Sequence, residues 1–170
     1  MADLVSAEEV EDFPGAPFAA DVLTAAGETV RGLCGWRIAP SEEQTVVLDS
    51  DGGCVLYVDT RMLTELAQVR DVTGTAPVVL DGVKHYESGR LYRPAGFPCG
   101  AQAVEVTFTD GYETCPADLV PVVADIARSS TRSTSVAQKS LGSGAITYSS
   151  TVDPVEAAAE TLGRYEIVDL

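Results

Sequence analysis

The sequence predicts an α+β fold: a small helical bundle with an inserted antiparallel β-sheet or barrel and an extended C-terminal tail. Three observations carry this reading. Apolar residues recur at helical intervals on both sides of the middle of the chain, at Phe18, Val22, Ala25, Ala26, Val30 and Leu33, and again at Leu119, Val122, Val123, Ile126 and Ala127. Between them, short β-type runs alternate with Asp-Gly and Ser-Gly turn pairs. Past Ser129 the composition changes. Twelve of the 23 residues from Ser129 to Thr151 are Ser or Thr, which leaves too little apolar surface to offset the entropy of ordering, so mobility in the free monomer is expected. The expected divisions are 1–40 for the N-terminal helices, 41–110 for the β region, 111–134 for the closing helix and 135–170 for the tail.

Each element has a local cause. Ser6 and Glu9 fit a capping box, in which the hydroxyl accepts from the Glu9 amide while the carboxylate reaches back, so a short helix is expected from Ala7 to about Asp12. Phe13-Pro14-Gly15-Ala16-Pro17 then breaks it. The helix from Phe18 ends where Gly32 and Gly35 stand, and Trp36, the only tryptophan, reads as core at its exit. Thr45 to Leu48 and Cys54 to Val58 flank Asp49-Ser50-Asp51-Gly52-Gly53, a hairpin-type loop whose spacing fails the calcium pattern of an EF-hand. Leu66 to Val72 and Val78 to Leu80 are further strands, with Asp81-Gly82 as the next turn. Tyr86 to Tyr92 reads as a tight hairpin with Ser88-Gly89 at its tip. Val104 to Thr109, with Val104, Val106 and Phe108 on one face, closes the β region before Asp110-Gly111.

Two starts are open to the helix that follows. With Asp118 as N-cap it runs from Leu119 to about Arg128, and Pro121 falls in the first turn, where a missing N–H breaks no intrahelical bond. With Pro116 first, it is kinked at Pro121. In the tail, Leu141 and the alternation of Ala145 and Thr147 with Ile146 and Tyr148 suit strand addition to a partner's sheet. Asp153-Pro154 opens a short helix to Gly163, and Tyr165 to Val168 is extended.

Composition excludes several functions. With 11 Lys+Arg against 26 Asp+Glu, the formal charge is −15, and no cluster of cations offers a phosphate track. No apolar run approaches a membrane span, and the acidic N-terminus lacks the features of a signal peptide, so a cytosolic origin is expected. Cys34, Cys54, Cys99 and Cys115 form no C-x-x-C pair; buried, reduced thiols are expected rather than zinc ligands. His85 is the only histidine, and no nucleophile motif accompanies it; an ordinary surface histidine is expected. No nucleotide-binding glycine pattern occurs. The expectation is therefore no catalytic residue, no metal and no cofactor.

The run Val104, Val106, Phe108, Gly111, Tyr112, Pro116, Asp118 and Leu119 resembles the strand, turn and helix of the head-to-tail adaptor (connector, head completion) proteins of long-tailed double-stranded DNA phages. Trp36, Ile38 and Pro40 are similar to the helix exit of that family. The resemblance implies a structural virion protein: a ring, twelvefold in the usual case, beneath the portal protein, extending the DNA channel and joining capsid to tail. Its partners would be the portal, a downstream tail-completion or stopper protein, and DNA passing without specific binding; no membrane is involved. It would be made in the host cytoplasm and reside in the virion neck. The tail would reach the portal, through Leu141, Ala145, Ile146, Thr147, Tyr148 and Tyr165. A small acidic cytosolic binding module or inhibitor that mimics nucleic acid is the alternative.

Overall fold

The computed structural model describes residues 3–131, 138–141, 144–147 and 153–167. It contains helices and antiparallel sheets, an α+β fold, and divides into two compact units, Met1–Leu33 with Pro116–Arg164 and Cys34–Cys115 with Tyr165–Leu170. Sequence position alone does not define either: residues 165–167 belong with the β region.

In the helical unit, α1 (Ala20–Cys34) buries Leu23, Ala26 and Val30. Of the stripe expected from Phe18 to Leu33, Ala26 and Val30 are buried whereas Ala25 and Leu33 are exposed, so the inward face is turned to include Leu23. The helix stops at Gly35, whose φ of +80° glycine adopts without strain. Helix α2 (Val120–Thr131) buries Val122, Val123, Ala124, Ile126 and Ala127. Here the capping expectation is corrected. The Leu119 carbonyl accepts from the Val123 amide at 3.0 Å, so Leu119 holds the cap position, Pro121 is the second helical residue, and the helix continues to Thr131.

The Ser6–Glu9 box forms, with the Ser6 amide donating to Glu9 Oε2 at 2.7 Å and the Glu9 amide to Ser6 Oγ at 3.4 Å. Yet the expected helix over Ala7 to Asp12 is a series of turns. One cap cannot offset nucleation so close to Pro14. This segment instead buries Leu4, Val5 and Val10, and Leu4 lies so near Gly27 of α1 that a Cβ there would meet Leu4 Cβ at 3.0 Å.

Toward the C-terminus, β8 (Gln138–Leu141) and β9 (Gly144–Thr147) form a two-stranded ribbon. The expected terminal helix appears as two short pieces, α3 (Pro154–Ala157) and α4 (Ala159–Gly163). The Asp153 carboxylate accepts from the Val155 amide at 2.9 Å, and Pro154 is the first helical residue, as the sequence indicated. Tyr148 and Val168 lie outside the described residues.

The sheet unit holds the remaining strands. A four-stranded antiparallel sheet has the order β1-β7-β3-β4, built from β1 (Glu42–Asp51), β7 (Cys99–Asp110), β3 (Leu63–Asp71) and β4 (Val78–Val79). A three-stranded sheet has the order β2-β6-β5, built from β2 (Val55–Tyr57), β6 (Arg90–Tyr92) and β5 (Lys84–His85). Leu56, Val58, Leu63, Val69, Leu91, Phe97, Val104, Val106 and Phe108 form one buried cluster drawn from both sheets. The expected pairing across Asp49 to Gly53 is corrected: β1 pairs with β7, and β2 pairs with β6. The signature strand β7 is long and apolar on one face, and it takes the centre between β1 and β3, where its Val104, Val106 and Phe108 are at most 1% exposed. The tight hairpin at Ser88-Gly89 forms as expected, with Gly89 at φ +77°.

Candidate functional site

In the sheet unit, the two short motifs that resemble the adaptor family meet. The Tyr112 amide donates to the Ile38 carbonyl at 2.7 Å, and the Trp36 and Tyr112 rings lie 6.2 Å apart at 53°. Ile38, β-branched and fully buried, is held at φ +64°, a conformation that costs roughly 1–3 kcal/mol. Gly111 explains how that carbonyl is reached: a Cβ at its φ of +96° would stand 3.0 Å from the Ile38 carbonyl oxygen. Only glycine allows this approach.

The chain returns to the same place at its end. Trp36 Nε1 donates to the Tyr165 carbonyl at 2.6 Å, the Ile167 amide to the Cys34 carbonyl at 3.0 Å, and Arg61 Nη1 to the Glu166 carbonyl at 2.8 Å. The Tyr165 ring stands edge-on to Tyr112 at 6.4 Å. Residues 165–167 thus act as a clasp on the sheet unit. Sequence reasoning missed it, because the three bonds are accepted or donated by backbone groups that every residue carries. Cys34 lies beneath it, and burial first, then the Glu166 carboxylate, pushes its thiol up to about 11.

Asp110, at the end of β7, is fully buried. Gln44 Nε2 donates to its Oδ1 at 2.9 Å. Burial pushes the Asp110 carboxyl above the usual range, while the Thr60 hydroxyl, the Arg37 guanidinium and Gln44 act in the opposite sense. Arg37 is itself ion-paired with Glu42. This acid ties β7 to β1 and to the loop carrying Thr60.

An open concavity of about 850 Å³ is lined by Arg61, Met62, Leu63, Thr64, His85, Tyr86, Glu87 and Ser88. His85 is exposed, as expected, and among the described residues no hydrogen bond reaches its imidazole. A hydroxyl activated by that ring would need such a bond. Of the four cysteines, Cys34 and Cys115 are buried as expected, whereas Cys54 and Cys99 are exposed at the far end of the β1–β7 pair; all are free. Among the described residues no group of His, Cys, Asp or Glu is placed to hold a metal ion.

The expected contact residues Leu141, Ala145, Ile146 and Thr147 all lie in the β8–β9 ribbon, with Lys139 opposite Ile146 and Leu141 opposite Gly144. The ribbon's strands pair with each other and with no other described strand. Its outer edges therefore present backbone donors and acceptors that a partner's strand can take. Tyr165 belongs to the other unit, in the clasp.

No protein-family model and no curated protein matches the sequence. Solved structures do. One is a chain in the neck of an empty gene transfer agent (GTA) particle computed with C6 symmetry, with a TM-score of 0.62 at 15% identity, covering 99% of this chain and 96% of that one. Another is a chain in the neck of the native GTA particle computed with C12 symmetry, with a TM-score of 0.61 at 17% identity and the same two coverages, 99% and 96%. Across almost its entire length, the chain has the fold of proteins found in the neck of these phage-like particles.

Proposed function

We propose that this protein is a structural component of the neck of a phage-like particle, a head-to-tail adaptor that assembles as a ring beneath the portal, extends the DNA channel and joins capsid to tail. The observation that carries the reading is the fold likeness to neck chains over nearly the full length of both partners, one of them in a C12 assembly. Twelve copies at −15 each give a strongly acidic ring, and carboxylates lining a channel repel phosphate and let DNA slide without sticking. The portal contact runs through the tail, with the β8–β9 ribbon adding to a portal sheet edge and Tyr148 just beyond it. The opposite face of the ring receives a stopper or tail-completion protein. The protein is made in the host cytoplasm and works in the virion neck.

Electron microscopy of the purified chain mixed with tailless, portal-bearing particles tests this. The expected result is a ring of added density at the portal vertex. Particles that gain no density there, under conditions where the chain is folded, refute the reading.

A further inference from the structure

The three-stranded sheet turns Leu56 and Leu91 into the core and leaves its other face open. Register fixes what stands there: Val55 lies opposite Tyr92, which lies opposite Lys84, and Tyr57 lies opposite Arg90. The Arg90 guanidinium sits 4.5 Å from the Tyr86 ring centroid. Val55, Tyr57 and Tyr86 are 38%, 52% and 44% exposed. Three of the chain's six tyrosines thus share one face with two cations, and none of the strand residues that register places there is a carboxylate. A solvated sheet face is ordinarily polar, whereas Tyr and Arg are the residues that anchor protein interfaces.

The outer face of the four-stranded sheet has the opposite chemistry. Alternate residues of β1, namely Glu43, Thr45, Val47 and Asp49, are exposed on it. Register sets Glu43 beside Thr109 and then Glu65, and Val47 beside Glu105 and then Arg70. Arg70 and Glu105 pair at 3.1 Å, and among the described residues no ion pair involves Glu43, Asp49 or Glu65. Val47, 47% exposed, supplies an apolar centre.

We infer that these two faces bind each other between copies: the Tyr57, Tyr86 and Arg90 face of one copy seats on the acidic face around Val47 of the next. Each face, laid on its own kind, would oppose like charges, whereas the unlike pair is complementary in charge and places apolar centre on apolar centre. Both sheets pack on one core, so their outer faces look away from it. Joining unlike faces is a head-to-tail contact, which closes into a ring when the rotation between copies allows. Duplex DNA is a poorer occupant, because two cations in a chain of −15 make no phosphate track. The inference rests on the ring reading above and assigns its subunit contact.

Photo-crosslinking tests it. The full chain carrying p-benzoylphenylalanine in place of Tyr57, an exposed position, is irradiated both in purified particles and alone at high concentration, and the joined peptides are identified by mass spectrometry. The expected product joins position 57 to residues 42–51 of a second copy. In parallel, R90E is expected to lower the copies per particle at least tenfold, and E43R with E65R in the same chain to restore them to within threefold. A crosslink to another part of the copy, to a different protein or to nucleic acid overturns the inference, as does no crosslink in either setting. Absence of the chain from particles would instead sink the neck reading, and the solution crosslink then decides the contact by itself.

Discussion

Ending the chain at Arg164 removes the clasp and should destabilise the sheet unit by roughly 2–6 kcal/mol. The figure counts two of the three lost hydrogen bonds, those at 2.6 and 3.0 Å, each contributing about 0.5–1.5 kcal/mol net. Orphaning the indole N–H of Trp36, a side chain only 5% exposed, adds about 1–3 kcal/mol. Arg61 is discounted because its exposed guanidinium regains water. Trp36 is the only tryptophan and lies in the clasp itself, so its emission reports the right unit. With a urea slope of about 2 kcal/mol/M, the midpoint should fall by roughly 1–3 M, and native emission should shift to the red. Thiol labelling gives an independent reading. In a background with Cys54 and Cys99 changed to Ser, the full chain should label slowly at Cys34, and the shortened chain quickly, because both its cover and the Glu166 carboxylate are gone. An unchanged midpoint, with Cys34 still protected, would refute the reasoning.

Asp110→Asn keeps an acceptor for Gln44 and removes the titration. Because burial raises the folded carboxyl above its ordinary value of 3.8, the native state holds the proton more firmly than the unfolded chain. Stability from this group is therefore present at low pH and lost as pH rises from 3.8 through the folded value. The variant should gain on the wild type across that window, at no more than about 1.4 kcal/mol per pH unit, read from urea midpoints between pH 4 and 7.5. A difference that stays constant with pH would show that Asp110 does not titrate as described. Gly89→Ala and Gly82→Ala form a matched pair. Both glycines have positive φ, +77° and +76°, but a Cβ at Gly89 would stand 2.7 Å from the Thr60 carbonyl and closer still to that of Val58, whereas nothing lies within 4 Å at Gly82. Thermal or urea unfolding should show a loss of about 1–2 kcal/mol at Gly82 and roughly 2–5 at Gly89; equal losses would contradict the geometry.

Much of this fold could be read from residue order because its causes are local. The apolar stripe of α2, the Gly35 stop, the Ser88-Gly89 hairpin and the Asp153-Pro154 start each depend on neighbours a few positions away, and each forms. What escaped depends on distant partners. Nothing in Asp49 to Gly53 forbids a hairpin; β1 pairs with β7 because a twelve-residue strand that buries Val104, Val106 and Phe108 needs partners along its length. Glu9 can complete a capping box, but only the segments around it decide whether a helix propagates. The open Tyr57 and Arg90 face was invisible for the same reason, since its members come from three strands and become neighbours only through register. Asp110 looked like half of a turn pair, and its burial follows from the strands on either side.

The returning C-terminus also sets how the molecule bears load. The β8–β9 ribbon joins α2 through one end and the α3–α4 run through the other, and that run continues directly into residues 165–167. A tug on the ribbon is therefore shared between two covalent routes, one anchored by a helix with an apolar buried flank and the other by the three hydrogen bonds of the clasp. The weaker mooring yields first, and its release would announce itself in the fluorescence of the Trp36 indole.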